Sequence, residues 1–249
     1  MKLDDVKKLH HKKYRNQLGY YLVEGEHLIQ ELQKAHSVRT DVQRQGDSAR
    51  IRLYVTEDYQ AWSSPFEKQV VSKKQMAQLS DTKTPQGIIA CVPLPDKQAS
   101  VGIEQTNERC IYLHEVQDPG NLGTILRTLA WFGDFRLLLS PNSVDPFNPK
   151  VVRSSMGAIF HVPMELDVQL DDLQNRFDRF AYLDMDGENI SSPAFSEFYC
   201  YLFGNEARGV PHDALQALNA QAFTIPGRGA IESLNLAMAV NISAYQLSV

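Results

Sequence analysis

Apolar residues along this 249-residue chain follow two rhythms, and their alternation lays out most of the expected architecture. Short runs rich in β-branched and aromatic side chains read as buried strands at 110–116 (CIYLHEV), 135–139, 180–185, 199–203 and 222–225. Between them apolar positions recur at helical spacing. Leu122, Ile125, Leu126 and Leu129 would face a core, while Arg127 falls off that stripe, on the side shared with Gly123 and Thr124. Strands alternating with helices predict an α/β fold with a mainly parallel sheet covered by helices on both faces. Upstream, a helix at 22–32, strands at 51–55, 69–71 and 86–92, and a helix at 73–79 predict a smaller α/β module. The domains expected are 1–95, a polar, proline-bearing linker at 96–108, and 109–249.

Three of the strands run into glycine and polar residues: Asp118-Pro119-Gly120-Asn121, Phe203-Gly204-Asn205-Glu206 and Pro226-Gly227-Arg228-Gly229. Ligands of open α/β sheets bind at such strand ends. The helix start after Asn121 would add unpaired N–H groups and the positive end of a dipole. A glycine-rich strand-to-helix turn is also ordinary in α/β proteins, and no dinucleotide fingerprint or phosphate-binding loop of standard spacing is present. The last helix is apolar nearly all round but carries Ser233, Asn235 and Asn241, which need partners or a role.

Taken together the three segments resemble the SpoU-type branch of the SPOUT RNA methyltransferases. The first family motif stands here as Asn121, Gly123, Arg127, Phe132 and Gly133, the second as Phe203, Gly204, Glu206 and Gly209, and the third as Ile225, Pro226, Gly229, Ser233, Leu234 and Asn235. A further family segment resembles 150–157 (KVVRSSMG), and Gly227 departs from relatives that often carry Met. The resemblance implies a C-terminal trefoil knot, a homodimer, and transfer of a methyl group from S-adenosylmethionine to a ribose 2′-hydroxyl of RNA. It places the methyl donor against Phe203, Gly204, Ile225, Pro226, Ser233 and Leu234, and the chemistry on Arg127 with Asn121, Glu206, Ser233 and Asn235. Because a guanidinium keeps its proton up to a pKa of about 12 or more, Arg127 suits a phosphate clamp and alkoxide stabiliser better than a general base. Asn121 would orient the ribose or Arg127, and Glu206 would fix Arg127 or the second-motif loop. Segments 13–15, 23–26 and 84–87 resemble the ribosomal-protein-like substrate-binding domain of the family, which favours ribosomal over transfer RNA.

Composition narrows the alternatives. With 43% hydrophobic and 22% charged residues and no unbroken apolar run or leader-like start at Met1, the chain reads as cytoplasmic and without a membrane partner. Cys91, Cys110 and Cys200 lie in apolar runs without ligand spacing, and adjacent His10 and His11 cannot share a helix face, so neither disulfides nor a metal are expected. The net charge of −5 hides a basic start, where Lys7, Lys8, Lys12, Lys13 and Arg15 form either a solvated helix or an RNA-contacting element together with Arg127. Small residues Ala237, Ala239, Ser243 and Ala244 would let the last helix pack closely against a second copy. A non-catalytic RNA-binding protein of the same fold and a nucleotide-dependent oxidoreductase are the other function classes. The intact Asn121, Arg127, Glu206, Ser233 and Asn235 set opposes the first, and the missing fingerprint opposes the second.

Overall fold

The computed structural model describes residues 1–38, 50–95, 108–231 and 233–249; the linker expected at 96–108 lies outside these except for Glu108. The chain divides into two compact units. The first comprises Met1–Asp96 with Asp145–His161, and the second Lys97–Val144 with Val162–Val249. Residues 145–161 therefore pack with the first unit although chain order sets them among the strands of the second.

The first unit is built on a four-stranded sheet in the order β1-β4-β2-β3, with β1 Tyr20–Glu24, β2 Arg52–Val55, β3 Glu67–Val70 and β4 Ile88–Pro93. Strand β4 pairs antiparallel with both β1 and β2, and β3 joins β2 in parallel. The single helix expected at 22–32 is instead the end of β1 followed by the helix Glu26–Ser37. The run Tyr20-Tyr21-Leu22-Val23 favours a pleated, buried strand, and Gly25 at φ 109° breaks the chain before the helical stripe of Leu28, Ile29 and Leu32 begins. The helix Lys73–Leu79 forms where expected, because Ser72 and Gln75 cap its start reciprocally: the Gln75 N–H donates to Ser72 Oγ and the Ser72 N–H to Gln75 Oε1.

Arg15 is not a surface contact. It sits on the short helix Lys12–Leu18 but is only 2% exposed. Its Nη1 donates to the carbonyls of Leu9 and His10 at 2.8 and 2.9 Å, closing the turn between the helices Leu3–Lys8 and Lys12–Leu18. Its Nε and Nη2 donate to Asp145 Oδ2 at 3.1 and 2.6 Å. A planar fork with five donors can serve both partners at once, which no lysine could do. The segment 145–161 is held further by the Phe147 ring 4.8 Å from Tyr21 and by an Arg153–Asp81 ion pair. Gly157, at φ 93°, lies so near Glu31 that a Cβ there would approach it to 2.6 Å.

The second unit is a six-stranded, wholly parallel sheet in the order β10-β8-β9-β5-β6-β7. Its strands are β5 Arg109–Leu113, β6 Phe135–Leu139, β7 Met164–Glu165, β8 Phe180–Asn189, β9 Cys200–Phe203 and β10 Ala220–Thr224. The two-residue β7 is too short to leave a sequence signal. Central strands β5 and β9 are buried almost without interruption, which explains why their sequences are continuously apolar rather than alternating. Burial pushes the Cys110 thiol, directly opposite Cys200 in register, up to about 12, so it is an inert core group. Among the described residues no helix is long and apolar enough to cross a membrane.

Arg15→Ala should lower the unfolding free energy by about 3 kcal/mol or more, since it strands the Asp145 carboxylate and two carbonyls, whereas Lys7→Ala should leave it unchanged. Urea denaturation of the two variants checks this, and equal midpoints would contradict it.

Candidate active site

The carboxyl ends of β5, β9 and β10 each run into a polar loop. After β5, Asp118 ends the turn and caps the helix Pro119–Phe132, its carboxylate accepting from the Asn121 N–H at 2.7 Å, with Pro119 at the first helical position. Leu122, Ile125, Leu126 and Leu129 are buried along this helix and Arg127 is exposed, as the apolar stripe predicts. Arg127 makes no hydrogen bond or ion pair with another described residue.

Beyond β9 the chain folds into a tight ring. Asn205 and Gly209 exchange two backbone hydrogen bonds, each 2.9 Å, while Asn205 Oδ1 accepts from the N–H groups of Ala207 and Arg208. A Cβ on Gly204 would lie 2.2 Å from the Gly209 carbonyl carbon. The close approach that Gly204 permits is thus that of the protein's own backbone, and Gly209 supplies the left-handed φ of 69° that the ring requires.

Glu206, at the tip of this ring, reaches the turn after β5. Its carboxylate accepts from the N–H groups of Gln117 and Asp118, both at 3.1 Å, and from Asn121 Nδ2 at 3.2 Å. The other end of the Asn121 amide accepts from Asn235 Nδ2 at 2.9 Å. Asn235 in turn caps the helix Leu236–Ser248, its Oδ1 accepting from Ala237 and Met238 N–H. One relay, Glu206 to Asn121 to Asn235, thereby joins the three loops. Glu206 makes no hydrogen bond or ion pair with Arg127, and Asn121 is committed at both ends of its amide. Partial burial pushes the Glu206 carboxyl up, but the hydrogen bonds from its own N–H, from Asp118 and Gln117, and from Asn121 outweigh this and hold it below the usual glutamate value.

Of the remaining predicted residues, Phe203 is buried in the core and presents only backbone to the strand end, its carbonyl accepting from the His114 N–H. Ile225 is half-buried, and Pro226, Ser233 and Leu234 are exposed. Between 226 and 234 the described residues make no backbone hydrogen bond with one another or with the rest of the described chain, so these amides and carbonyls lie beside apolar Ile225 and Leu234 without a described backbone partner. Such a surface fits an adenosyl group, which carries both a hydrogen-bonding edge and an apolar face. Lys7, Lys8, Lys12 and Lys13 are exposed, with Lys8 paired to Asp5 at 2.9 Å.

A second cluster was not legible in the sequence. Glu115 stands at φ 50°, its carboxylate paired with Arg208 and accepting from Asn142 Nδ2, its carbonyl accepting from Asn205 Nδ2 at 2.6 Å and from Gln117 Nε2 at 3.0 Å. It binds the loops after β5, β6 and β9 together. Asn in the segment FGNE was the available clue, since an Asn there closes its own turn.

Residues 108–245 match the SpoU rRNA Methylase family and residues 2–90 the MRM3-like substrate binding domain. The chain is 30% identical over 250 residues to the 23S rRNA (guanosine(2553)-2′-O)-methyltransferase RlmP of Bacillus subtilis, covering 99% of this chain and 95% of that one. A TrmH-family structure from Porphyromonas gingivalis superposes with a TM-score of 0.81 at 29% identity, over 98% of this chain and 96% of the other. The methyltransferase AviRb from Streptomyces viridochromogenes, solved with AdoMet, shares the fold at a TM-score of 0.80 and 20% identity, over 99% and 96% of the two chains. The chain belongs to the SpoU rRNA methylase family.

Glu206→Gln should remove a charge that its donors are arranged to hold. A carboxyl lowered on folding stabilises the native state above the unfolded value of about 4.3, and that stability is lost as pH falls through the lower folded value. Wild type should therefore be more stable than the variant at pH 7, with the gap closing toward pH 3; thermal melts across that range test it, and a gap that widened in acid would refute it.

Proposed function

We propose that this protein transfers the methyl group of S-adenosylmethionine to a ribose 2′-hydroxyl of ribosomal RNA. The observation that carries this reading is the Glu206–Asn121–Asn235 relay, which fixes three strand-end loops together while leaving Arg127 exposed and without a partner among the described residues on the adjoining helix. The methyl donor, when bound, supplies an electrophilic methyl, so the protein's task is to align the acceptor and manage one proton. Arg127 grips an RNA phosphate bidentately and stabilises the oxyanion that develops on the 2′-oxygen. The backbone groups of 226–234, with Ile225 and Leu234, hold the adenosyl portion, and Asn235 fixes where that loop enters the last helix. Asn121 and Glu206 position the loops, and the proton leaves to the neighbouring phosphate or to water. The C-terminal knot and a cytoplasmic setting belong to the same reading.

Arg127→Ala should keep donor binding, measured by calorimetry, and lose roughly 10²–10³-fold in single-turnover methyl transfer, the effect of removing one preorganised donor. Arg127→Lys should also be poor, because a point charge cannot reproduce the fork. Unaltered turnover in Arg127→Ala would remove the assignment.

A homodimer is also part of the proposal, but on a different face from the small residues. Ala237, Ser243 and Ala244 are buried within the unit, where the last helix packs on the helix Pro119–Phe132 through Thr128–Asn241 and Phe132–Tyr245 contacts. The side that remains open carries Met238, Ile242 and Tyr245, with Trp131 84% exposed on the neighbouring helix. An apolar stripe of this kind supports a second copy as its cover. Ile242→Asp should shift the sedimentation coefficient toward that of a monomer; a wild-type monomer at micromolar concentration that still methylates RNA would exclude the dimer.

A further inference from the structure

Burial of Arg15 changes what the basic start of the chain can do. Its guanidinium locks the turn at Leu9 and His10 from inside, so the residues on the outer side of that turn are held in a fixed arrangement. Those residues surround one aromatic ring. Tyr14 is partly exposed, with Lys8 Nζ and Lys13 Nζ each 5.9 Å from its ring centroid and the exposed His11 ring at 6.4 Å in an edge-on orientation. Lys7 and Lys12 are exposed on the same two short helices. A scattered set of lysines needs no aromatic centre to stay soluble. A partly exposed tyrosine with mobile lysine ammonium groups over its ring, on an otherwise acidic chain, has instead the two parts that unpaired nucleotides require, a ring on which a base can take the place of a lysine and positive charge for the phosphates beside it.

We infer that Tyr14 is a stacking platform for an unpaired RNA base, with Lys8 and Lys13 flanking it and Lys7 and Lys12 contacting the backbone further along the strand. The inference rests on RNA being the substrate and adds that the first unit engages a single-stranded element of it. A duplex keeps its bases stacked on one another and could use only the lysines.

Full-length protein would be titrated with a fluorescent oligoadenylate and, separately, with a blunt RNA duplex of equal length, over a salt series. Tyr14→Ala should weaken oligoadenylate binding by about 5- to 150-fold, the range set by losing one base–aromatic stack, with the salt slope and duplex binding unchanged. Tyr14→Phe should bind within about twofold of wild type, since the ring and not the hydroxyl carries the stack. Lys13→Ala should instead flatten the single-strand slope by about 0.7, one phosphate's share. Tyr14→Leu keeps the buried packing without the π-face and should match Tyr14→Ala, which guards against a folding defect. Unchanged binding in Tyr14→Leu, or an equal loss on the duplex, would overturn the platform while leaving RNA methylation intact. Failure of wild type to bind either RNA would overturn both readings.

Discussion

A single carboxylate sets the geometry on which the candidate site depends. Glu206 lies on one loop and takes its hydrogen bonds from another, and its third donor, Asn121, passes the connection to Asn235. Each member also serves its own backbone: Asn235 caps a helix, and Asn121 donates its N–H to the cap of a second. No residue of the relay can move without unsatisfying a backbone group, so local folding and loop registration enforce one another. Glycines at 204 and 209 make this possible by letting the second loop close on itself in a space no side chain could share.

On the proposed reading the arrangement separates positioning from chemistry. Asn121, Glu206 and Asn235 commit their polar side-chain atoms to each other and to nearby backbone N–H groups, and Arg127 makes no such bond among the described residues. A guanidinium with no partner among the described residues need not break an ion pair before meeting a phosphate, and it sits on a helix whose opposite side is locked into the core. Rigid support and an unengaged donor are the two requirements of electrostatic preorganisation.

Much of this was legible in the sequence because it rests on local rules. Continuous apolar runs gave β5, β6 and β9, Asp118 and Pro119 announced a helix start, and the off-stripe position of Arg127 followed from period alone. What escaped depends on contacts distant in the chain. The positive φ of Glu115 is held by Asn205 and Asn142, and nothing in a glutamate signals it. Arg15 looks identical to the solvated lysines beside it until Asp145, far along the sequence, claims it. The helix expected at 22–32 overlaps the end of β1 at 22–24 because so short an apolar run fits either period, and Gly25 decides the matter.

The interrupted chain order of the first unit has a consequence for synthesis. At roughly 5–20 residues per second, Asp145 leaves the ribosome some seconds after β4 is complete, about fifty residues later. Throughout that interval the Arg15 guanidinium lacks Asp145, so its Nε and Nη2 are without the carboxylate they meet in the finished unit. The nascent first unit therefore waits half-finished for a segment encoded among the strands of the second. Completion of the first unit is thereby timed to follow synthesis of β5, β6 and the Arg127 helix, and a chain stalled before residue 145 would lack the segment that closes it.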